Sequence, residues 1–155
     1  MFFVIAVIAT GICISCNNSA NEENKSPAGE TSRTEAQTLW KEVMEGHDIG
    51  MAKMGRLTRA EQTTRRMLDS IAKLPAKAKK AAAPLKVKLD SLQKELSRAE
   101  VAMNKWMAEF NIDSAENDMK RRIEYLTSEK LKVTKVKESI LSGLEKADSL
   151  LKDKF

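Results

Sequence analysis

Residues 42–55 read EVMEGHDIGMAKMG and hold the side chains with the most distinctive chemistry in the sequence. His47 is the only histidine of 155 residues, and Met44, Met51 and Met54 surround it at helical spacings. Imidazole nitrogen and thioether sulfur together select soft Cu(I). One His with one Met can also hold a haem iron, and helical bundles build such sites between facing helices. A single histidine excludes bis-histidine haem within one chain and any zinc site built on several histidines. The same spacing gives a second account. It places Met44, His47, Met51 and Met54 on one helix face, where methionine fills gaps and packs against aromatic rings. Core packing is the better supported account, because a methionine stripe at helix spacing is ordinary core. Gly46 and Gly50 each weaken a helix by about 1 kcal/mol. They allow either a close helix approach or a kink beside His47.

The other chemically distinctive residue is Cys16. The stretch MFFVIAVIATGICISC is apolar and carries no charged side chain. It is shorter than the ~20 residues of a membrane-spanning helix and has the length of a signal-peptide core. It ends in Ser15-Cys16, and a polar run follows. A small residue before a cysteine at the end of such a core resembles the cleavage site of bacterial lipoproteins. The resemblance implies removal of residues 1–15, diacylglycerol on the Cys16 sulfur and a further acyl chain, palmitate for example, on the new amine. Each buried CH₂ adds about 0.8 kcal/mol, so several chains anchor almost permanently. The expected address is the bacterial cell envelope at the outer membrane. The leader departs from the usual pattern in lacking Lys or Arg and in carrying Cys13 where an aliphatic residue is common. Cleavage before Cys16 leaves no second cysteine, so stability must come from packing and not from a disulfide.

These residues must be positioned by helices. Charged residues make up 32% and aromatics 5% of the chain, with three prolines, a balance that suits long amphipathic helices. Residues 16–33 read as the acylated cysteine and a flexible tether, too polar to offset ordering entropy. Residues 34–155 read as one helical domain. The first helix is expected over residues 34–74, ended by Pro75, with Trp40, Met44, His47, Met51, Met54, Leu57, Thr64, Leu68 and Ile71 inward. The second has an unbroken seam of alternating four- and three-residue steps, from Leu85 through Leu89, Leu92, Leu96, Ala99, Met103 and Trp106 to Phe110. Pro84 suits its first turn, which makes KAKKAAA a loop or a frayed turn. The third is expected over residues 115–152, capped by Asp113 or Ser114. Its seam is Met119, Ile123, Leu126, Val133, Ile140, Leu144, Ala147 and Leu151, with Lys130 and Lys137 covering apolar surface by their stems.

Three long helices with short connections predict an all-α, up-down-up antiparallel three-helix bundle; a longer oligomeric coiled coil is the alternative. Such a bundle brings Met103 and Met107 to the level of His47, so the soft ligand set would be Met44, His47, Met51, Met54, Met103 and Met107. Charge gathers at the other end. Between residues 56 and 88 ten basic residues face two acidic ones, against a net charge of +5 for the whole chain. Lys73, Lys77, Lys79, Lys80, Lys86 and Lys88 are the candidate contacts for an anionic partner. In an envelope that partner is an anionic component or another envelope protein. Nucleic acid is disfavoured, because no aromatics interleave with the lysines to stack on bases. A solvated basic surface is the plainer account.

No nucleophile–base pair, Gly-rich phosphate loop or HExxH spacing is present, which predicts a non-catalytic protein without a required cofactor. The combination EVMxxHDxxMxKM (Glu42 to Met54), AMxxWMxxF (Ala102 to Phe110) and YLxxEKxKVxxVKESI (Tyr125 to Ile140) resembles small lipoproteins of Bacteroidota, often labelled "viral A-type inclusion protein". That resemblance spans residues 39–150. It implies a secreted helical lipoprotein and no catalytic residue.

Overall fold

The computed structural model describes residues 27–152. The leader, Cys16 and most of the tether lie outside the described residues. Three helices make up the fold: α1 (Pro27–Ala72), α2 (Ala76–Glu109) and α3 (Met119–Leu151), each in contact with the other two. The chain is an all-α, up-down-up three-helix bundle, as the spacing of apolar residues predicts.

The boundaries differ from the sequence expectation in instructive ways. Helix α1 starts at Pro27, so residues 27–33 are helix and not tether. Extending an existing helix costs far less than nucleating one. Proline suits a first turn, and Glu30 adds an acidic side chain there. Farther along, the Thr34 and Thr38 hydroxyls donate to the carbonyls of Glu30 and Thr34 at 3.0 and 2.9 Å. The turn between α1 and α2 occupies residues 73–75 alone. Pro75 is the N-cap of α2, and KAKKAAA is helix with Pro84 inside it. Ala and Lys are strong helix formers, and Pro84 and Lys80 are both exposed. Water can therefore satisfy the carbonyl that the missing Pro84 N–H leaves open. Helix α3 begins four residues later than expected, capped by Asp118, whose carboxylate accepts from the Arg121 N–H at 3.1 Å.

The seam of α2 holds, and that of α3 holds at its apolar positions, with Glu129 buried where the spacing puts Lys130. Leu89, Leu92, Leu96, Ala99, Met103 and Trp106 are buried, as are Leu126, Val133, Ile140, Leu144, Ala147 and Leu151. Leu85 departs from this, with 36% of its surface exposed. The inward face of α1 departs from the expected one over residues 43–51, while Leu57, Thr64 and Ile71 are buried as expected. Val43, Gly46, Gly50, Leu57, Ala60 and Thr64 are buried, whereas Met51 is 38% exposed and Met44 and His47 are half-buried. The glycines are the reason. A Cβ on Gly46 would stand 3.0 Å from Val133 Cγ1; one on Gly50 would overlap the Met103 Cε methyl and lie 3.4 Å from Ile140. Of the two effects open to these glycines, the structure has the close approach.

Register follows from cross-links between helices. Glu42 pairs with Lys130 at 2.8 Å, and Arg56 holds both oxygens of Asp148 at 2.6 and 2.5 Å. These half-exposed pairs add little stability but show that Leu151 lies near the level of Ala60. Beyond that level the described chain is α1 and α2 alone, a two-helix extension of about 18 Å at 1.5 Å per residue.

Gly46 and Gly55 separate packing from helix propensity. A Cβ at Gly55 meets only Arg59, at 3.8 Å, so Gly55→Ala is expected to stabilise by about 1 kcal/mol. Gly46→Ala should gain less or lose, and Gly46→Leu should lose about 1–3 kcal/mol by overpacking. Urea unfolding followed by circular dichroism measures all three. Equal gains for both alanine variants would show that α1 does not need the close contact.

Candidate functional site

Around His47 the structure assembles rings more than it assembles sulfur. The imidazole lies against Trp106, centroids 5.6 Å apart, and its Nδ1 is 2.9 Å from Asp48 Oδ1. Trp106 stacks on Phe110 at 4.8 Å, and Phe110 contacts Trp40 and Tyr125 at 5.8 and 6.1 Å. Arg122 lies over the Trp40 ring at 5.4 Å, a cation–π contact. The thioethers are spread through different environments. Met103 is fully buried beneath Gly50, Met44 and Met54 are half-buried, and Met51 and Met107 are 38% and 37% exposed. The space that the two glycines create is filled by Val133, Met103 and Ile140. Among the described residues, no three His, Cys, Asp or Glu side chains come together as a metal site.

The same end holds a buried carboxylate that the apolar pattern does not single out. Glu129 is 4% exposed; its oxygens accept from Trp106 Nε1 at 2.9 Å and Lys132 Nζ at 2.7 Å. The bond to Glu129 holds Lys132 protonated above the usual lysine range. Both oxygens are occupied, so Glu129 is a tie between α2 and α3 and not a free base. Losing either donor would leave a buried acceptor underbonded, which costs about 1–3 kcal/mol. A sequence signal exists: Glu129 stands three residues after Leu126 and four before Val133, on the seam itself, facing a tryptophan that needs an acceptor.

The turn before α3 is clamped by two residues that the sequence reading also passed over. Arg122 Nη1 donates to the Ile112 and Ser114 carbonyls, both at 2.7 Å, and the Tyr125 hydroxyl accepts from the Asn111 N–H at 2.7 Å. Ala115 takes a left-handed conformation there, φ 58°, which is unfavourable for a residue with a Cβ. Arg122 and Tyr125 thus join the turn to the aromatic cluster.

At the opposite end, Lys73, Lys77, Lys79, Lys80, Lys86 and Lys88 are all exposed. Lys86 pairs with Asp90 at 2.7 Å. The other five make no ion pair among the described residues. Helix α2 starts within this cluster, with no acidic residue in its first turn and no side-chain cap. The positive end of its dipole adds to the lysine charges.

Between the two ends, Glu61 of α1 meets α2. Gln93 Nε2 donates to Glu61 Oε1 at 2.7 Å, while its own Oε1 is buried without a partner. Burial first, then hydrogen bonding to and repulsion from Glu100, raise the Glu61 carboxyl above its usual 4.5; Arg65 and Gln93 oppose them. The folded state therefore binds the extra proton between pH 4.5 and the raised value. Stability from this site is full below pH 4.5 and is lost as pH rises through that window. Glu61→Gln is expected to stabilise at pH 7 by roughly 0.5–1 kcal/mol, the scale of a surface charge pair, with no gain below pH 4.5. Thermal melts across pH measure the difference, and a gain independent of pH would refute the Glu61–Glu100 account.

The chain matches no protein-family model, no curated protein and no solved structure. Among the described residues no helix is long and apolar enough to cross a membrane.

Proposed function

We propose that the chain is a lipid-anchored protein of the bacterial cell envelope, a non-catalytic helical rod that holds an anionic envelope partner at its hairpin tip. The observation that carries this reading is the set of lysines without an ion pair among the described residues, Lys73, Lys77, Lys79 and Lys80 on an extension of two helices and Lys88 at its base beside α3. Unpaired like charges gathered on a projecting element attract anions from a distance and repel one another until something neutralises them. The resemblance of Ser15-Cys16 to a lipoprotein cleavage site, and of the wider pattern to small Bacteroidota lipoproteins, supports anchoring at the other end. The up-down-up topology puts that end of α1 farthest from the tip. Cu(I) or haem binding at Met44, His47, Met51, Met54, Met103 and Met107 has less behind it. The thioethers differ widely in exposure, and the cavity a haem would need beside His47 is occupied by side chains.

A chain beginning at Asn17 keeps all three helices and loses the acylated cysteine. It should sediment with isolated envelopes at low salt and be released as ionic strength passes about 0.1 M, where screening acts within roughly 10 Å. Lys77→Gln, Lys79→Gln and Lys80→Gln together should lower that retention several-fold. Retention indifferent to both salt and charge would sink the reading of the tip. Anchoring has its own assay: radioactive fatty acid should label the full chain in cells and fail to label Cys16→Ser.

A further inference from the structure

Arg33, Gln37 and Lys41 follow one another at four-residue steps, so they share one side of α1 with Trp40. Across from them lie Glu116, in the turn before α3, and Met119 and Arg122, in the first turn of α3. Together they border a cleft of about 430 Å³, within the range of roughly 300–1,000 Å³ usual for small-ligand sites. The buried Ala36 and the half-buried Trp40 and Met119 give it an apolar wall. Its charge is basic. Arg33 and Lys41 are exposed and, like Arg122, make no ion pair among the described residues. Arg122 donates to two carbonyls, which leave its charge uncancelled beside Trp40. Glu116 is the one acidic residue among the described residues that border the cleft. The carboxylates of this part of α1, Glu30, Glu35 and Glu42, line a separate cleft with three threonines, and Glu42 is paired with Lys130. Charge is thus sorted around the helix, basic on the Trp40 side and acidic on another.

A cationic rim around a half-buried indole suits the phosphate level of a bilayer, where tryptophan settles and Lys and Arg meet anionic headgroups. Resting on the reading of Cys16 as an acylated anchor, we infer that this cleft takes the phosphate headgroup of an anionic lipid in the membrane to which the chain is tied. Arg33, Lys41 and Arg122 supply the donors, and guanidinium groups match phosphate oxygens in pairs. Trp40 and Met119 offer apolar surface to the glycerol and the first methylenes. Ten residues separate Cys16 from Pro27, a reach of about 35 Å at most. A headgroup within that reach is almost an intramolecular ligand, so modest affinity suffices. The contact fixes which side of the base of the rod meets the bilayer and turns the acidic side of α1 away from it. The basic tip makes a separate contact. From Trp40 to the end of α1 at Ala72 is about 50 Å at 1.5 Å per residue, so lipid held by the tip alone leaves Trp40 clear of the bilayer.

The probe is a vesicle of phosphatidylcholine, with or without phosphatidylglycerol, whose acyl chains carry bromine, and the full chain as made in cells is reconstituted into it. Bromine quenches an indole only at close range, and the buried Trp106 is the internal reference. Tryptophan emission should fall with phosphatidylglycerol present and not in pure phosphatidylcholine, and salt should reverse the loss. Trp40→Phe should abolish the quenching. Arg33→Gln with Lys41→Gln, at two exposed positions, should lower it several-fold. Arg33→Glu with Lys41→Glu should transfer it to vesicles holding a cationic lipid, which excludes simple unfolding. Lys77→Gln, Lys79→Gln and Lys80→Gln together should leave it unchanged. Equal quenching with and without phosphatidylglycerol, or quenching indifferent to Arg33 and Lys41, would overturn the headgroup site. Loss of quenching in the tip variant would also overturn it, assigning the lipid to the tip. Anchoring is read separately, by flotation with pure phosphatidylcholine vesicles. A chain that does not float with them, yet is quenched with phosphatidylglycerol present, keeps the headgroup site and loses the anchor.

Discussion

Gly46 and Gly50 leave α1 bare at the two points where Val133 and Met103 press against it, and the orientation of the whole helix follows from that contact. A larger side chain there would press on Val133 and Met103 and hold α1 away from them. With hydrogen alone at both positions, Val43, Leu57 and Ala60 come inward with the glycines, and Met44 and Met51 turn toward the edges. His47 is carried to the boundary, where it meets Trp106. The helix gives up about 1 kcal/mol of propensity at each glycine. Dense packing of Val133 and Met103 repays it, because a well-filled core gains many small dispersion contacts at once.

From that rotation the two ends acquire different characters. At the end near residue 110 the aromatic rings, the buried Glu129 and the clamped turn form one connected set. Trp106 belongs to all of it, stacking on Phe110, facing His47 and donating to Glu129. A buried carboxylate with both oxygens bonded is costly to displace, so Glu129 also opposes any slip of α3 along α2. At the other end Ile71, Met67, Leu68 and Ala82 pack together beneath a surface of exposed lysine and alanine.

Much of this was legible in the chain. The alternating four- and three-residue steps of α2 and α3 admit one face each, so most of their buried apolar residues could be named without a structure, Leu85 excepted. Over residues 43–51 the apolar pattern of α1 points a residue out of place, because it gives weight to methionine and none to glycine, while Leu57, Thr64 and Ile71 lie inward as it predicts. At Gly46 and Gly50 the contact is made by the partner's side chains, which no single-helix pattern contains. Pro84 misled for a related reason: its rule assumes a helix interior that cannot hydrate a carbonyl, and Lys80 lies in water. Glu129, Arg122 and Tyr125 were missed because each acts across helices or on a turn, through partners more than a dozen or several residues away.

The charge at the tip is set by the start of α2. Lys77, Lys79 and Lys80 stand in the first turns of α2, where the helix dipole already presents its positive end, and no acidic side chain offsets them. A sequence shaped only for the stability of the hairpin would place Asp or Glu there. The arrangement instead lowers the stability of the isolated tip by like-charge repulsion, and alanine and lysine propensity keeps it helical. An anion that pairs with these lysines relieves the repulsion, and salt weakens that attraction because the charges are exposed.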